Sequence, residues 1–426
     1  MFIKNAPCKD FFQSSKVLKF ANLAFLYPIF FPTVKSWGNG LSFIMLAVAL
    51  VNIIPSRRQY FLSRSKLFWL LFVTLISPFF LELIVQVFRG PFTWNSLDGP
   101  SRFLIGGVIF LYLSKHQDID SVVMSFSLGC LICIPVTLLS VIIFDDFYWR
   151  GRCATQILCP NALPVYILAI GICGFYSLLS IKNLRLKLFY FVAVYLSLLY
   201  ILIVCETRTV WISFVFIVTF SVILITCKSK IKLLLLICIY FSSFLILYFA
   251  SPVIQKRVNT TFISATNLIT EINEPRSLNT SLGARVGLIL FDCYIGAKYN
   301  LLGYPDEKLP PMSTVLKDIP FMTNKVYLMK LTSGSHCEYT AHISRKGLVL
   351  GLVNSLSILI LPLCFFGRIL LLNRQKFSYT AFLIVLSMSI CAVGVQVFGL
   401  KMSSSFWAVT LAIFYSYSVN LPRNSY

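Results

Sequence analysis

Long apolar runs alternate with short polar stretches along most of the chain. A helix that crosses a bilayer needs about 20 mostly apolar residues. Runs near this length predict twelve spans, at roughly 17–34, 38–54, 67–88, 102–114, 121–144, 160–180, 187–205, 208–227, 233–250, 347–372, 378–399 and 402–420. The second run is short and the fourth very short. The pattern predicts an all-α polytopic membrane protein with about 12 transmembrane helices.

One long, more polar segment, residues 251–346, separates the ninth predicted span from the tenth. Within it, residues 282–299 place apolar side chains at helical spacing, with Arg285 and Asp292 on one more polar face. We expect this helix to lie on or near the outer membrane–water boundary. The chain therefore divides into 1–250 with spans one to nine, 251–346 with helices, and 347–426 with the last three spans and a short tail.

Composition supports a membrane protein. Hydrophobic residues make up 58% of the 426 positions, and charged residues only 12%, whereas a soluble globular chain has roughly 25% charged residues. There are too few polar groups to cover a water-exposed surface. A water-soluble enzyme, a disordered chain and a disulfide-rich secreted domain are excluded.

The net charge of +22 would suggest nucleic acid for a soluble protein, but here it follows membrane topology. With the N-terminus inside, nineteen basic residues lie on the inner side and seven in short outer loops. The other eleven lie in the long segment, and long translocated loops are exempt from the rule. Both termini are therefore predicted inside and the segment outside, and nucleic acid is not expected as a partner.

Arg285 ends the sequence Ser-Leu-Gly-Ala-Arg (281–285), at the start of the predicted helix. A guanidinium offers a planar set of donors that matches phosphate oxygens, and a helix N-terminus adds oriented N–H groups. The alternative is a solvated arginine, or one that reaches lipid headgroups.

His336 and Glu338 lie in Ser-His-Cys-Glu (335–338), just before the tenth span. A neutral histidine can accept a proton from a hydroxyl group, and Glu338 could orient it or bind the acceptor. The alternative is a polar residue at a helix rim. His342 should not converge with His336 if the stretch is helical, so a zinc site is not expected.

Polar residues 206–209 form a turn between two apolar spans, which suits either a water-filled cavity or an ordinary loop with an Arg–Glu pair. Glu82 lies inside the third span, where a carboxylate costs about 2.5–3.5 kcal/mol at the helix centre. It should therefore face a partner or a cavity, and Arg208 is one candidate partner.

Signals for metals and disulfides are weak. Asp118 and Asp120 resemble a metal-binding pair but precede a span, where Asp is a common helix cap. Asp145 and Asp146 have no further carboxylates near them in sequence. A disulfide between Cys153 and Cys159 stays open. No metal and no cofactor is expected.

Together these features resemble the O-antigen ligase family, most closely the enterobacterial lipopolysaccharide ligases. The resemblance rests on twelve spans, a large late outer segment, and four motifs, which are Thr-Arg (207–208), Ser-Leu-Gly-Ala-Arg (281–285), His-Cys-Glu (336–338) and Lys-Gly-Leu-Val-Leu-Gly (346–351). It covers most of the chain as architecture and about 150 residues as motif. The order of the motifs and their common outer location make it fairly specific.

The resemblance implies a multi-pass protein of the bacterial inner membrane whose active site faces the periplasm, with both termini cytoplasmic. The implied activity is metal-independent, inverting transfer of O-antigen from undecaprenyl diphosphate onto the lipid A-core oligosaccharide. His336 and Arg285 match the family's essential histidine and arginine, and Arg208 matches an arginine that would bind the diphosphate. Many members have Ser where this chain has Thr207, and Asn where it has Cys337.

Two other functions fit parts of the pattern. An O-antigen polymerase uses the same lipid-linked donor and also has many spans and large outer loops with arginines. A polysaccharide or lipid transporter would show internal repeats and ionisable groups near the membrane midplane. Here Glu82 is nearly alone in the predicted spans, which favours the enzyme. Membrane lipids are expected contacts in every case.

Overall fold

The computed structural model describes residues 15–56, 60–61, 64–90, 92–116, 118–143, 154–155, 157–226, 242, 245, 248–249, 251–270, 280–298, 301–304, 309–319, 322–399 and 401–421. All regular elements in these ranges are helices. The α-helices with printed bounds are α1 Ser15–Thr33, α2 Trp37–Ile53, α3 Lys66–Arg89, α4 Trp94–Leu113, α5 Ile119–Ile143, α6 Leu163–Ser180, α7 Leu184–Cys205, α8 Arg208–Thr226, α9 Pro252–Thr270, α10 Ser281–Lys298, α11 Met312–Asp318, α12 Asn324–Ser333, α13 Glu338–Ser355, α14 Leu361–Leu372, α15 Lys376–Gly394 and α16 Lys401–Val419.

The structure has the apolar helices of a multi-pass membrane protein. Six helical stretches of the described chain are long and apolar enough to cross a bilayer, namely Lys66–Arg89, Ile119–Ile143, Leu163–Ser180, Leu184–Cys205, Glu338–Leu372 and Lys376–Gly394. Three shorter apolar helices accompany them, at Phe20–Thr33, Trp37–Ile53 and Arg208–Ser221. The all-helical prediction is confirmed at this level, and the number twelve stays a prediction. The ninth predicted span, about 233–250, lies mostly outside the described residues.

Close helix packing forms the centre of the bundle. Helix α4 packs against α3 and α16, and α5 packs against α1 and α6. Small residues permit this approach, because a Cβ at Gly106 would lie 2.8 Å from the carbonyl oxygen of Ala408. At the core, the Phe406 ring contacts the rings of Phe31 at 4.8 Å and Tyr166 at 5.6 Å. This packing fixes the helix ends on which the candidate site lies.

The long segment predicted between the ninth and tenth spans has a small core of its own. Its members come from α10, α11, α12 and the chain between them, and they are Ala284, Leu288, Phe291, Ile295, Val315, Ile319, Met322, Val326 and Tyr327. The helix expected at 282–299 is present as α10, and Thr280 caps it by accepting a hydrogen bond from the Gly283 N–H at 3.0 Å.

Helix α13 is broken at Gly347, whose φ of 78° and ψ of 171° are not helical. The chain folds back at this break and brings Gly351 against the backbone of His342. The approach is so close that a Cβ at Gly351 would lie 2.5 Å from the carbonyl oxygen of His342. Gly303 packs against the same break, since a Cβ there would lie 2.5 Å from the Gly347 nitrogen. The break coincides with the predicted start of the tenth span, and it places Lys346 against the bundle.

Candidate active site

Asp292 of α10 holds the short loop that carries His336. Its Oδ1 accepts from Lys330 Nζ at 2.6 Å and from Ser335 Oγ at 3.0 Å. Its Oδ2 accepts from Thr340 Oγ1 at 3.0 Å. Asp292 is fully buried, and like Arg285 it lies on the side of α10 that faces His336. The buried carboxylate is tolerated because its charge is paired and hydrogen-bonded.

His336 is half-buried, and its Nε2 is a buried atom without a hydrogen-bond partner in the described part of the chain. Burial lowers the pKa of His336 to about 4, with the Arg285 guanidinium as the next cause, while Asp292 opposes the shift. The imidazole is therefore neutral near pH 7, with one ring nitrogen able to accept a proton. Helix α10 carries Arg285 close enough to influence His336, so these two predicted site residues are brought together.

The lowered pKa of His336 predicts that the free energy of unfolding depends on pH. Between pH 6.5 and about 4 the unfolded chain binds a proton that the folded protein excludes, so the free energy of unfolding should fall as the pH drops through this window. His336→Gln should reduce this pH dependence in thermal unfolding of the purified protein in detergent. Lys317→Gln, at an exposed position of α11, should keep the wild-type dependence. An identical pH dependence in His336→Gln and wild type would contradict the assignment.

Glu338 is fully buried at the start of α13 and contacts groups other than the expected His336. Its Oε2 accepts from the Phe398 N–H at 2.9 Å, and its Oε1 lies 3.1 Å from Nε2 of His342. His336 precedes the helix, whereas Glu338 and His342 lie one turn apart on it. Both carboxylate oxygens of Glu338 therefore face groups other than His336, namely the Phe398 backbone and the His342 ring. That Glu338 supports His336 stays a prediction.

Arg208 is the first residue of α8, and it donates to Thr260 Oγ1 on α9 at 3.2 Å. Glu206 of this turn is paired with Arg257 of α9. Thr207 is buried and donates to the carbonyl oxygen of Pro160 at 2.7 Å. The turn is thus tied to α9, which sequence spacing alone could not show.

Glu82 is paired with Lys346, which corrects the suggestion that Arg208 is its partner. Lys346 Nζ lies 3.2 Å from Glu82 Oε2, and the two side chains are 4% and 10% exposed. The ammonium group also donates to Asn354 Oδ1 at 3.2 Å and to the Pro78 carbonyl oxygen at 3.4 Å. Lys346 directly precedes the break at Gly347, and the three donors of its ammonium group all find acceptors.

A cavity of about 320 Å³ lies beside this ion pair. Its wall combines charged, amide, hydroxyl and apolar groups, from Pro78, Glu82, Gln86, Arg89, Gly90, Thr93, Asn95, Ser96, Gly99, Pro100, Phe103, Tyr304, Glu338, His342, Arg345, Lys346, Asn354, Ile358, Phe398, Gly399, Lys401 and Ser404. Glu338 is the one predicted site residue on the wall of this cavity. The sequence did not show that four basic residues would meet at one cavity, namely Arg89, Arg345, Lys346 and Lys401. The one sequence signal for such a group was Glu82, whose position in an apolar span requires a nearby cation or a cavity.

The basic side chains of the cavity are held by neighbouring groups. Arg89 donates to the carbonyl oxygen of Arg345 at 2.7 Å. With the Gln396 amide oxygen facing it, the Arg345 guanidinium donates to this oxygen at 2.7 and 2.8 Å. Lys401 pairs with Asp98, and its side chain stays 55% exposed. The basic groups of the cavity are therefore all engaged by neighbouring atoms, and Lys401 is the one with an exposed side chain.

The weaker sequence signals fall outside this site. Asp118 accepts from Ser121 Oγ at 3.1 Å directly before α5, as expected for a residue at a helix start. Cys159 is exposed with a free thiol, while Cys153 lies outside the described residues, as do Asp145 and Asp146.

No protein-family model matches the chain, and no curated protein is similar enough in sequence to count as a relative.

Proposed function

We propose that the protein is a glycosyltransferase of the O-antigen ligase type. It would transfer O-antigen polysaccharide from undecaprenyl diphosphate to the lipid A-core oligosaccharide at the periplasmic face of the inner membrane. The observation that carries the proposal is the neutral imidazole of His336, whose buried Nε2 has no hydrogen-bond partner among the described residues. Arg285 lies close enough to influence this ring, and the buried Asp292 holds the loop that carries it.

In the proposed reaction, the acceptor hydroxyl oxygen attacks the anomeric carbon of the lipid-linked sugar. The bond between that carbon and the diphosphate oxygen breaks, and its electron pair leaves with the diphosphate. The acceptor proton passes to Nε2 of His336. Direct displacement inverts the anomeric centre.

Arg285, together with Arg208, would neutralise the charge that grows on the departing diphosphate. Hydrogen bonds to charged groups contribute about 1.5–3 kcal/mol each, and more of this reaches the transition state when the donors are fixed beforehand. Arg285 meets this condition through α10, whose start is capped by Thr280. Arg208 would act from the start of α8, where it is linked to Thr260.

The proposal is tested by the lipopolysaccharide banding pattern of a deletion strain. Loss of the gene should leave unsubstituted lipid A-core while long lipid-linked polymer accumulates. Wild-type protein should restore the ladder, and Arg285→Ala should not, because the proposed diphosphate site loses the positive charge of this guanidinium. Lys298→Ala, from the other end of α10, should restore it fully.

Two results would contradict the proposal in different ways. Single-repeat caps in the deletion strain would identify a polymerase instead of a ligase. A full ladder with Arg285→Ala, at matched protein level in the membrane, would refute the assignment of that residue.

A further inference from the structure

Arg64, at the end of α3 far from the polar cavity, is a cation without a counter-charge among the described residues. Its Nε donates to the carbonyl oxygen of Tyr60 at 2.8 Å, and its Nη1 donates to that of Ser114 at 3.4 Å. Its Nη2 is buried and has no hydrogen-bond partner in the described part of the chain, and none of the described ion pairs includes it. Buried charges in proteins are normally paired, so this guanidinium is an exception.

The phenol of Tyr112, near the end of α4, is a second unsatisfied group in the same place. Tyr112 is fully buried, and its hydroxyl group has no hydrogen-bond partner among the described residues. Ser114, whose carbonyl oxygen accepts from Arg64, follows two residues later. Tyr60 lies close enough to interact electrostatically with both Arg64 and Tyr112. Buried polar groups are nearly always hydrogen-bonded, so two unsatisfied donors side by side point to a binding site.

The surroundings of Arg64 are those of a membrane–water boundary. Ser65 caps α3 by accepting from the Phe68 N–H at 3.1 Å, and α3 is long and apolar enough to cross a bilayer. The rings of Phe61 and Trp69 are exposed and stack with their centres 6.2 Å apart. Exposed aromatic rings at the end of a membrane span are typical of the headgroup level. Arg64 therefore lies at the depth of lipid headgroups, at the end that the basic residues predict to be cytoplasmic.

The charge of this end favours an anion as the ligand. Guanidinium N–H groups and a phenol hydroxyl are donors, and a guanidinium matches phosphate oxygens in geometry. The two connections at this end, 54–65 and 114–118, hold one acidic residue, Asp118, and four basic residues, namely Arg57, Arg58, Arg64 and Lys115. Basic sites between transmembrane helices on the cytoplasmic side suit the headgroups of anionic lipids.

We propose that Arg64 and Tyr112 bind the phosphate group of an anionic phospholipid from the cytoplasmic leaflet. The phosphate oxygens accept from Arg64 Nη2 and from the Tyr112 hydroxyl group. Arg64 is half-buried, so part of its side chain reaches the surface at which a headgroup arrives. The acyl chains lie along the exposed apolar side chains of α3, beginning with Trp69 and Val73.

This lipid site is independent of the proposed transfer reaction. Helix α3 has 24 residues and is therefore about 36 Å long. Arg64 directly precedes its first turn, whereas Arg89 on the wall of the polar cavity is its last residue. The lipid site would hold or fail whatever the activity at the other end of the bundle.

Native mass spectrometry of the purified full-length protein in detergent tests the site, with phosphatidylglycerol and phosphatidylcholine of identical acyl chains as probes. Both lipids carry a phosphate, but only phosphatidylglycerol has a net negative charge. We expect the wild type to bind phosphatidylglycerol more tightly than phosphatidylcholine. Arg64→Gln should weaken the binding of phosphatidylglycerol about tenfold or more, because a charge-assisted hydrogen bond is lost. Arg64→Lys should recover part of this loss, since it restores the charge without the planar donors.

Tyr112→Phe is the second variant, and it should weaken the binding of phosphatidylglycerol about threefold. It removes a single oxygen atom from the core, so the protein should stay folded even if Arg64→Gln does not. Arg185→Gln is the matched control. Arg185 also lies at the start of an apolar helix, α7, at the predicted cytoplasmic end, but its side chain is exposed. This control should bind phosphatidylglycerol as the wild type does.

Three results would overturn the proposal. The first is equal affinity of the wild type for the two lipids. The second is unaltered affinity for phosphatidylglycerol in both Arg64→Gln and Tyr112→Phe. The third is an equal loss of affinity in Arg64→Gln and Arg185→Gln, which would show attraction to a basic surface in general.

Glycerol 3-phosphate separates a lipid headgroup from a soluble phosphate compound, because it carries the same phosphate without acyl chains. A large excess of it should leave phosphatidylglycerol bound to the wild type. Displacement of phosphatidylglycerol by glycerol 3-phosphate would assign Arg64 and Tyr112 to a soluble ligand and refute the lipid site.

Discussion

Replacement of His336 by glutamine is expected to lower the rate of glycosyl transfer about 10²–10⁴-fold, the usual contribution of a well-placed general base. Glutamine keeps a polar side chain of similar length but cannot take up the acceptor proton. The measurement is single-turnover transfer from lipid-linked O-antigen to lipid A-core in reconstituted vesicles. Because burial and Arg285 hold the pKa of His336 at about 4, the wild-type rate should lose its His336-dependent part only as the pH falls toward that value.

His116→Gln is the natural control, since the chain has three histidines and His116 packs against Tyr112, beyond the end of α4. It should transfer at the wild-type rate. Binding of the lipid-linked donor should be nearly unchanged in His336→Gln, which separates a chemical role from a structural one. A His336→Gln protein that is as fast as the wild type would exclude His336 as the base.

Replacement of Lys346 by methionine is expected to destabilise the folded protein by about 3–5 kcal/mol, since it leaves the Glu82 carboxylate buried without its cation. The Gln86 amide, which donates to Glu82 at 2.9 Å, remains but carries no charge. The quantity to measure is the free energy of unfolding in denaturant, in mixed micelles, with thermal unfolding alongside.

The double variant Glu82→Leu/Lys346→Met should recover most of the lost stability, because a buried ion pair can often be replaced by apolar residues of similar volume. Lys298→Met is the comparison on the surface. Its pair with Asp318 has side chains 40% and 33% exposed and screened by solvent, so its removal should destabilise the protein much less than Lys346→Met. A double variant as unstable as Lys346→Met alone would show that the Glu82 charge is not what the lysine neutralises.

The loop 335–338 lies between helix α10 on one side and the polar cavity on the other. Toward α10, Ser335 is bound to Asp292, and Arg285 influences His336. Toward the cavity, Glu338 meets His342 and the Phe398 N–H. A proton acceptor and a polar cavity are therefore separated by a very short piece of chain.

The sequence alone determined the helical class and the location of most helices. The reason is that the length and apolarity of a run set its cost in water and its fit to a bilayer, and both can be read locally. The same holds for α10, whose spacing of apolar residues predicted a helix at 282–299 that the structure has at Ser281–Lys298. The sequence also identified Glu82 as a residue that needs a partner, because a carboxylate within an apolar run needs a positive charge or hydrogen-bond donors beside it.

Only the tertiary structure decided which residues compensate each other. Lys346 was one of eleven basic residues in the long segment, and nothing in its spacing pointed to Glu82, 264 positions earlier. The fold-back at Gly347 brings them together, just as the packing of α10 against α13 brings Asp292 to Ser335. Charges are paired through space, and the path of the chain between them is set by packing of the whole bundle. For that reason the need for a partner was visible in the sequence, and its identity was not.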